Sequence, residues 1–175
     1  LLNPQGIQPF LDYLRYEKRY SAHTILAYQS DLEEFMGFTE QQYGSTSLND
    51  ITHQYIRSWL ALNKDRGLTA RSINRKISTL KSFFRFYMKQ GELELSPMAK
   101  IISPKSGKKL PSFVREEDTI ELLKSLDRSA EDWKSLNAKM LITIFYATGM
   151  RQSELLGLRE RQIDFEKAQI RVLGK

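Results

Sequence analysis

Apolar residues recur at helical spacing through the first half of the chain. Ile7, Phe10, Leu11 and Leu14 fall at i, i+3, i+4 and i+7, one stripe of an amphipathic helix. Ser21 suits the N-cap of a second helix, whose stripe is Ile25, Tyr28, Leu32, Phe35 and Met36. A polar loop is expected from Gln41 to Asn49. Asp50 or Thr52 then caps a third helix with Ile56, Trp59 and Leu60 inward, closing near Gly67. Thr69 opens a fourth helix that runs to about Gln90 and stops at Gly91, with Ile73, Ile77, Leu80, Phe84 and Met88 as its apolar stripe. Beyond Pro97 and Pro104 the pattern changes. Ser103 to Ser112 is rich in Pro, Gly, Ser and Lys, the composition of a linker. Helices are expected again over Glu116 to Leu126, Trp133 to Ala147 (with Met140, Leu141, Ile144 and Phe145 apolar) and Ser153 to Leu158, with Gly149 breaking the second of them. Ala168 to Leu173 alternates like a strand. A lone strand is unstable, so its partners are expected beyond the last residue, as in a piece of something longer.

Composition narrows the class. The chain has 175 residues, 41% hydrophobic and 27% charged, with a formal charge of +6. No run of apolar residues is long enough for a membrane span. Leu1 to Phe10 lacks the basic start and apolar core of a signal peptide. The absence of cysteine excludes disulfides, thiolate metal sites and a cysteine nucleophile. His23 and His53 lie too far apart for a local metal motif. A cytoplasmic, non-metal protein is expected. The charge is uneven: residues 1–102 carry +3, residues 103–115 carry +4 through Lys105, Lys108, Lys109 and Arg115 without an acid, and residues 116–175 carry −1. That segment suits a polyanion, or equally a solvated linker.

The fourth helix carries the clearest binding signal. Arg71, Arg75, Ser78, Ser82, Arg85 and Lys89 form a second stripe at helical spacing, and no acid occurs between Thr69 and Gln90. Cations separated by small hydroxyls suit a helix lying against DNA, where they reach phosphates or guanine edges. A solvated helix face gives the same pattern; the absence of acids favours nucleic acid. Phe83, Phe84, Phe86 and Tyr87 are read as core. At the start of the second helix His23, Thr24 and Tyr28 suit phosphate contacts at a helix N-terminus, or an exposed spectator and a packed ring.

The segment Phe145-Tyr-Ala-Thr-Gly-Met-Arg-Gln-Ser-Glu-Leu-Leu-Gly-Leu158 combines a glycine turn with an arginine at a helix start and a nearby carboxylate, Glu154. Here the sequence resembles the tyrosine recombinase family, most closely the bacterial Xer-type recombinases and related integrases. The resemblance rests on Thr-Gly-hydrophobe-Arg-x-Ser-Glu-Leu-x-x-Leu from Thr148 to Leu158, on Ile163-Asp164, and on the final Ile170 to Lys175. It extends to Ser21-x-x-Thr24-x-x-x-Tyr28-x-x-Asp31-Leu32 and to Thr69 through Tyr87.

The resemblance implies a mainly α chain: a four-helix SAM-like core-binding domain over 1–102, a basic linker over 103–112, and the start of an α+β tyrosine-recombinase catalytic domain over 113–175. It makes Arg151 the first catalytic arginine and Lys175 the catalytic acid, with Glu154 supporting. Thr24, Tyr28, Arg71, Arg75, Ser78, Ser82, Arg85, Lys105, Lys108 and Lys109 are the expected DNA contacts. It further implies site-specific DNA recombination through a 3′-phosphotyrosyl intermediate, with no cofactor. The partners would be double-stranded DNA and other recombinase protomers in a tetramer, with no membrane. The family's His-x-x-Arg motif and tyrosine nucleophile fall after Lys175, and all eight tyrosines here precede Arg151. This chain is therefore expected to bind DNA without cleaving it. A non-catalytic helical DNA-binding protein is the alternative, and a helical adaptor a further one.

Overall fold

The computed structural model describes residues 6–44, 47–107, 113–128 and 132–172. The chain divides into two compact units, Leu1–Lys108 and Lys109–Lys175. In the first, α1 (Gln8–Asp12) continues into a π-helical turn over Tyr13–Glu17. Next come α2 (Ala22–Tyr43), α3 (His53–Asp65) and α4 (Ala70–Lys89). Local chemistry fixes where two of them start. The Ser21 hydroxyl accepts the Thr24 amide hydrogen at 3.3 Å, and the Thr69 hydroxyl accepts that of Ser72 at 3.3 Å, each capping its helix.

The periodic apolar residues close into one core. Phe10, Leu32, Phe35, Ile56, Trp59, Ile77, Leu80, Phe83 and Phe84 are all fully buried. Edge-to-face contacts tie Phe10 to Phe83 and Phe35 to Trp59, with ring centroids 5.5 and 5.1 Å apart. The core extends past α4 through Leu93, Met98 and Ile101. Arg57 and Asn74 donate to the carbonyls of Lys100 and Pro104 at 3.2 and 2.9 Å, so the chain hugs the bundle as far as Pro104.

Two expectations in this unit change. The polar run from Gln41 is not all loop: α2 continues to Tyr43, whose ring stacks on Tyr55 at 3.7 Å. The stop falls at Gly44, which supplies the left-handed φ of 77°. Met88, one turn beyond Phe84, is 38% exposed rather than core, because the apolar stripe outruns the core it packs on.

In the second unit α5 (Glu116–Arg128) and α6 (Trp133–Thr148) pair with each other. The acids Glu116, Glu117 and Asp118 occupy the first turn of α5, as the helix dipole favours. Then follow α7 (Gln152–Leu156), β1 (Ile163–Asp164) and β2 (Gln169–Ile170). The strand expected over Ala168 to Leu173 is shorter and has a local partner: β2 pairs antiparallel with β1, Ile163 opposite Ile170. Gln162 locks the end of this hairpin, its carbonyl accepting from Arg171 N–H at 2.8 Å and its side-chain amide donating to the Arg171 carbonyl at 2.9 Å. Leu173 lies outside the described residues. Met140, Leu141, Ile144 and Phe145 on α6 all keep some exposure. None of the described helices is long and apolar enough to cross a membrane.

Candidate nucleic-acid interface and phosphate site

The alternation of apolar and polar residues on α4 resolves into two faces. Ile73, Ile77, Leu80, Phe83, Phe84, Phe86 and Tyr87 turn inward, whereas Arg71, Arg75, Ser78, Arg85 and Lys89 are exposed and Ser82 is half-buried. The expected polar stripe therefore lies on the outer face of this helix. Lys81, which sequence reasoning passed over, is exposed as well and lines a cleft of about 460 Å³ with Arg85, Lys89 and Ser96. Arg71, Lys81, Arg85 and Lys89 have no ion-pair partner among the described residues. The Ser78 hydroxyl is turned back to the Asn74 carbonyl at 2.9 Å.

Arg75 differs from its neighbours. Its Nη1 donates to Asp31 Oδ2 at 2.6 Å and to the Ala27 carbonyl at 3.4 Å. Asp31 is buried on α2 and also accepts from Thr79 at 3.0 Å and from Lys76 Nζ at 3.2 Å. Lys76 is buried too, donating to Glu34 at 2.5 Å and lying 5.0 Å from the centre of the Trp59 ring. Two carboxylates thus balance two cations, the requirement for burying charge. Sequence reasoning missed this cluster. Asp31 falls within the apolar stripe of α2 and Lys76 beside that of α4, which marks each as a charge at the edge of a core, but their pairing with each other needs the packed helices.

At the start of α2 the Thr24 hydroxyl is engaged with that of Ser21 at 2.9 Å. Tyr28 is half-buried, its ring 6.0 Å from Phe10 and 6.2 Å from Tyr20, while His23 is exposed. One side of the Tyr28 ring packs on the core while part of the residue stays accessible. Lys105 is exposed. Lys108, Lys109 and Lys175 lie outside the described residues.

In the second unit Gly149 ends α6 in the left-handed conformation, φ 63°, and its amide caps the Phe145 carbonyl at 2.9 Å. The chain reverses there, and Arg151 becomes the N-cap of α7. Glu154, one turn on, holds Arg151 from both ends: one carboxylate oxygen accepts the Arg151 amide hydrogen at 2.7 Å and the other accepts Nη1 at 2.6 Å. Donation from that backbone amide, then from the guanidinium, holds the Glu154 carboxyl below the usual carboxylate range. A depressed value means that the grip is intact at neutral pH and is lost as pH falls through it. Side-chain NMR titration should give a low midpoint for Glu154. Arg151→Ala should raise it only in part, because the backbone donor remains; an ordinary midpoint in the unmodified chain would contradict the grip. The Arg151 side chain stays 64% exposed. An adjoining open cleft of about 680 Å³ is lined by Glu154, Arg159, Arg161 and Arg171.

Residues 7–91 match the phage integrase N-terminal SAM-like domain, and residues 112–175 match the phage integrase family. The chain belongs to the phage integrase family of tyrosine recombinases. Among curated relatives, the tyrosine recombinase XerC of Staphylococcus aureus (strain MRSA252) is 35% identical over 168 residues, covering 96% of this chain and 55% of that protein. XerC of Staphylococcus saprophyticus is 34% identical with the same coverage. The chain spans about half the length of these relatives. Among solved structures, a lambda integrase dimer bound to a COC′ core site superposes with a TM-score of 0.67 at 20% identity, covering 92% of this chain and 55% of that one. The Tn1549 transposon integrase in complex with circular intermediate DNA gives 0.63 at 22%, covering 92% and 51%. These likenesses show the fold: a SAM-like helical domain followed by the start of an integrase catalytic domain.

Proposed function

We propose that this chain supplies the DNA-grasping half and the opening part of the active site of a site-specific recombinase that acts in the cytoplasm. The observation that carries the reading is Arg151, exposed at a glycine turn and clamped by Glu154 inside the family's own motif. The acid-free outer face of α4 supports it. Membership of a family whose relatives include XerC, and likeness to integrases solved on DNA, support duplex DNA and further recombinase protomers as the partners.

The chemistry is transfer of a DNA phosphoryl group between two alcohols. A tyrosine oxygen attacks the scissile phosphate, a 3′-phosphotyrosyl bond forms, and the 5′-oxygen departs with a proton. A partner strand's 5′-hydroxyl then reverses the step and restores the phosphodiester. One ester replaces another, so no energy source is required. Arg151 suits charge stabilisation on the nonbridging oxygens: its guanidinium is permanently charged, and among the described residues only Glu154 engages it, at Nη1. Lys175 suits protonation of the departing oxygen, since a lysine can be tuned to give up its proton.

Salt titration of duplex binding tests the interface. Each phosphate contact releases counterions, so Arg71→Ala and Arg85→Ala should each weaken binding on every sequence and flatten the salt slope by about 1. Unchanged affinity and slope in both variants would remove α4 from the interface. The residues from 103 to 112 serve as a basic linker in this reading. Limited trypsin digestion should cut at Lys105, Lys108 or Lys109 and release a folded product that retains Ile101 and Pro104. Resistance throughout that stretch would argue against a linker.

A further inference from the structure

Of the arginines expected on the DNA side of α4, one is held by a buried carboxylate. The side chain of Arg75 is 50% exposed, yet its Nη1 is fixed 2.6 Å from Asp31, whose own side chain is 1% exposed. Among the described residues no acceptor faces its Nε or Nη2. These two N–H groups form one edge of the guanidinium, a ready-made pair of parallel donors. Asp31 is itself immobilised by Thr79 and Lys76, and Lys76 by Glu34.

Two physical consequences follow. The charge of Arg75 is largely compensated at close range, so it adds little to the general attraction for phosphates; Arg71, Lys81, Arg85 and Lys89 supply that. Its orientation is also set before any ligand arrives, which lowers the entropic cost of a directional contact. A neutralised, pre-oriented fork is poorly suited to phosphate and well suited to two adjacent acceptors on a base edge, the pattern that guanine presents with O6 and N7.

We propose that Arg75 is a sequence-reading residue of this chain and that Asp31 is its positioning residue, with guanine in duplex DNA as the group recognised. This rests on the DNA-binding reading above. The cluster joins α2 to α4, so the packing of the bundle and the aim of the fork are set by the same carboxylate.

The test uses the 175-residue chain and a pool of short DNA duplexes with a randomised centre, selected on the protein and sequenced. The unmodified chain should enrich a motif containing guanine. Arg75→Lys keeps the charge but loses the fork, and should reduce the preference at that guanine about tenfold while the other positions persist. Asp31→Asn should lose the same position, a pattern that a general loss of stability does not produce. Should circular dichroism show Asp31→Asn unfolded, Asp31→Asn with Lys76→Met keeps the buried site free of unpaired charge and should lose that position too. Arg71→Ala should weaken every duplex alike and leave the motif intact. Binding without any enriched motif, or an unaltered motif in Arg75→Lys, would overturn the sequence-reading role and leave DNA binding standing. A motif lost in Arg75→Lys but kept in the folded Asp31 variant would overturn the positioning role. No binding to any duplex would overturn the DNA-binding reading itself.

Discussion

Phe84→Ala should bring the first unit close to unfolding. Phe84 is fully buried on α4, the helix that packs against both α2 and α3, and its ring lies 5.4 Å from that of Phe83. Truncating a buried phenylalanine costs about 3–5 kcal/mol through lost burial and the cavity left behind. A domain of this size holds only about 5–15 kcal/mol in all. Urea unfolding followed by tryptophan fluorescence reads the effect, because Trp59 is buried in this core while Trp133 is 74% exposed. Met88→Ala, one turn further along the same apolar stripe, should change the unfolding free energy by about 0.5 kcal/mol or less, as for a surface position. Similar losses in the two variants would mean that the core reaches further down α4 than the structure places it.

That contrast shows how far periodicity reads. Spacing assigned α2, α3 and α4 because each presents a continuous apolar stripe, and Ser21, Thr69 and Gly149 mark boundaries by chemistry that is local to the chain. Periodicity cannot say where a core stops, which is why Met88 was placed inside it. The hairpin was half legible. β2 has alternating residues, but its partner Ile163–Asp164 is only two residues long, too short to carry a pattern. At the site, the Arg151 turn was readable because its partner Glu154 is three residues away. The Asp31 cluster was not, because Arg75, Lys76 and Thr79 meet a carboxylate more than forty positions earlier in sequence. Charges that pair across helices are visible only once the helices are packed.

The sharpest expectation for this polypeptide is binding without covalent chemistry. Its outer α4 face should hold duplex DNA, yet no phosphotyrosyl adduct should form on a nicked suicide substrate that traps the intermediate. In the proposed reading Arg151 steadies the nonbridging oxygens and Lys175 protonates the departing 5′-oxygen, and neither supplies the attacking oxygen. Of the eight tyrosines, seven lie in the first unit, and Phe10, Phe86 and other rings pack around several of them. Tyr146 is the exception: it sits on α6, five residues before Arg151, and is 57% exposed. It is therefore the residue to substitute. A band shift on a denaturing gel that disappears in Tyr146→Phe would make Tyr146 the nucleophile and break the correspondence with the family's order of residues. With no band from this chain, the nucleophile would have to come from a longer protein that supplies a tyrosine after Lys175. There Arg151→Ala should cost orders of magnitude in cleavage while duplex affinity hardly changes, because the guanidinium acts mainly where charge develops in the transition state. Equal losses in binding and cleavage would instead make Arg151 an anchor for DNA.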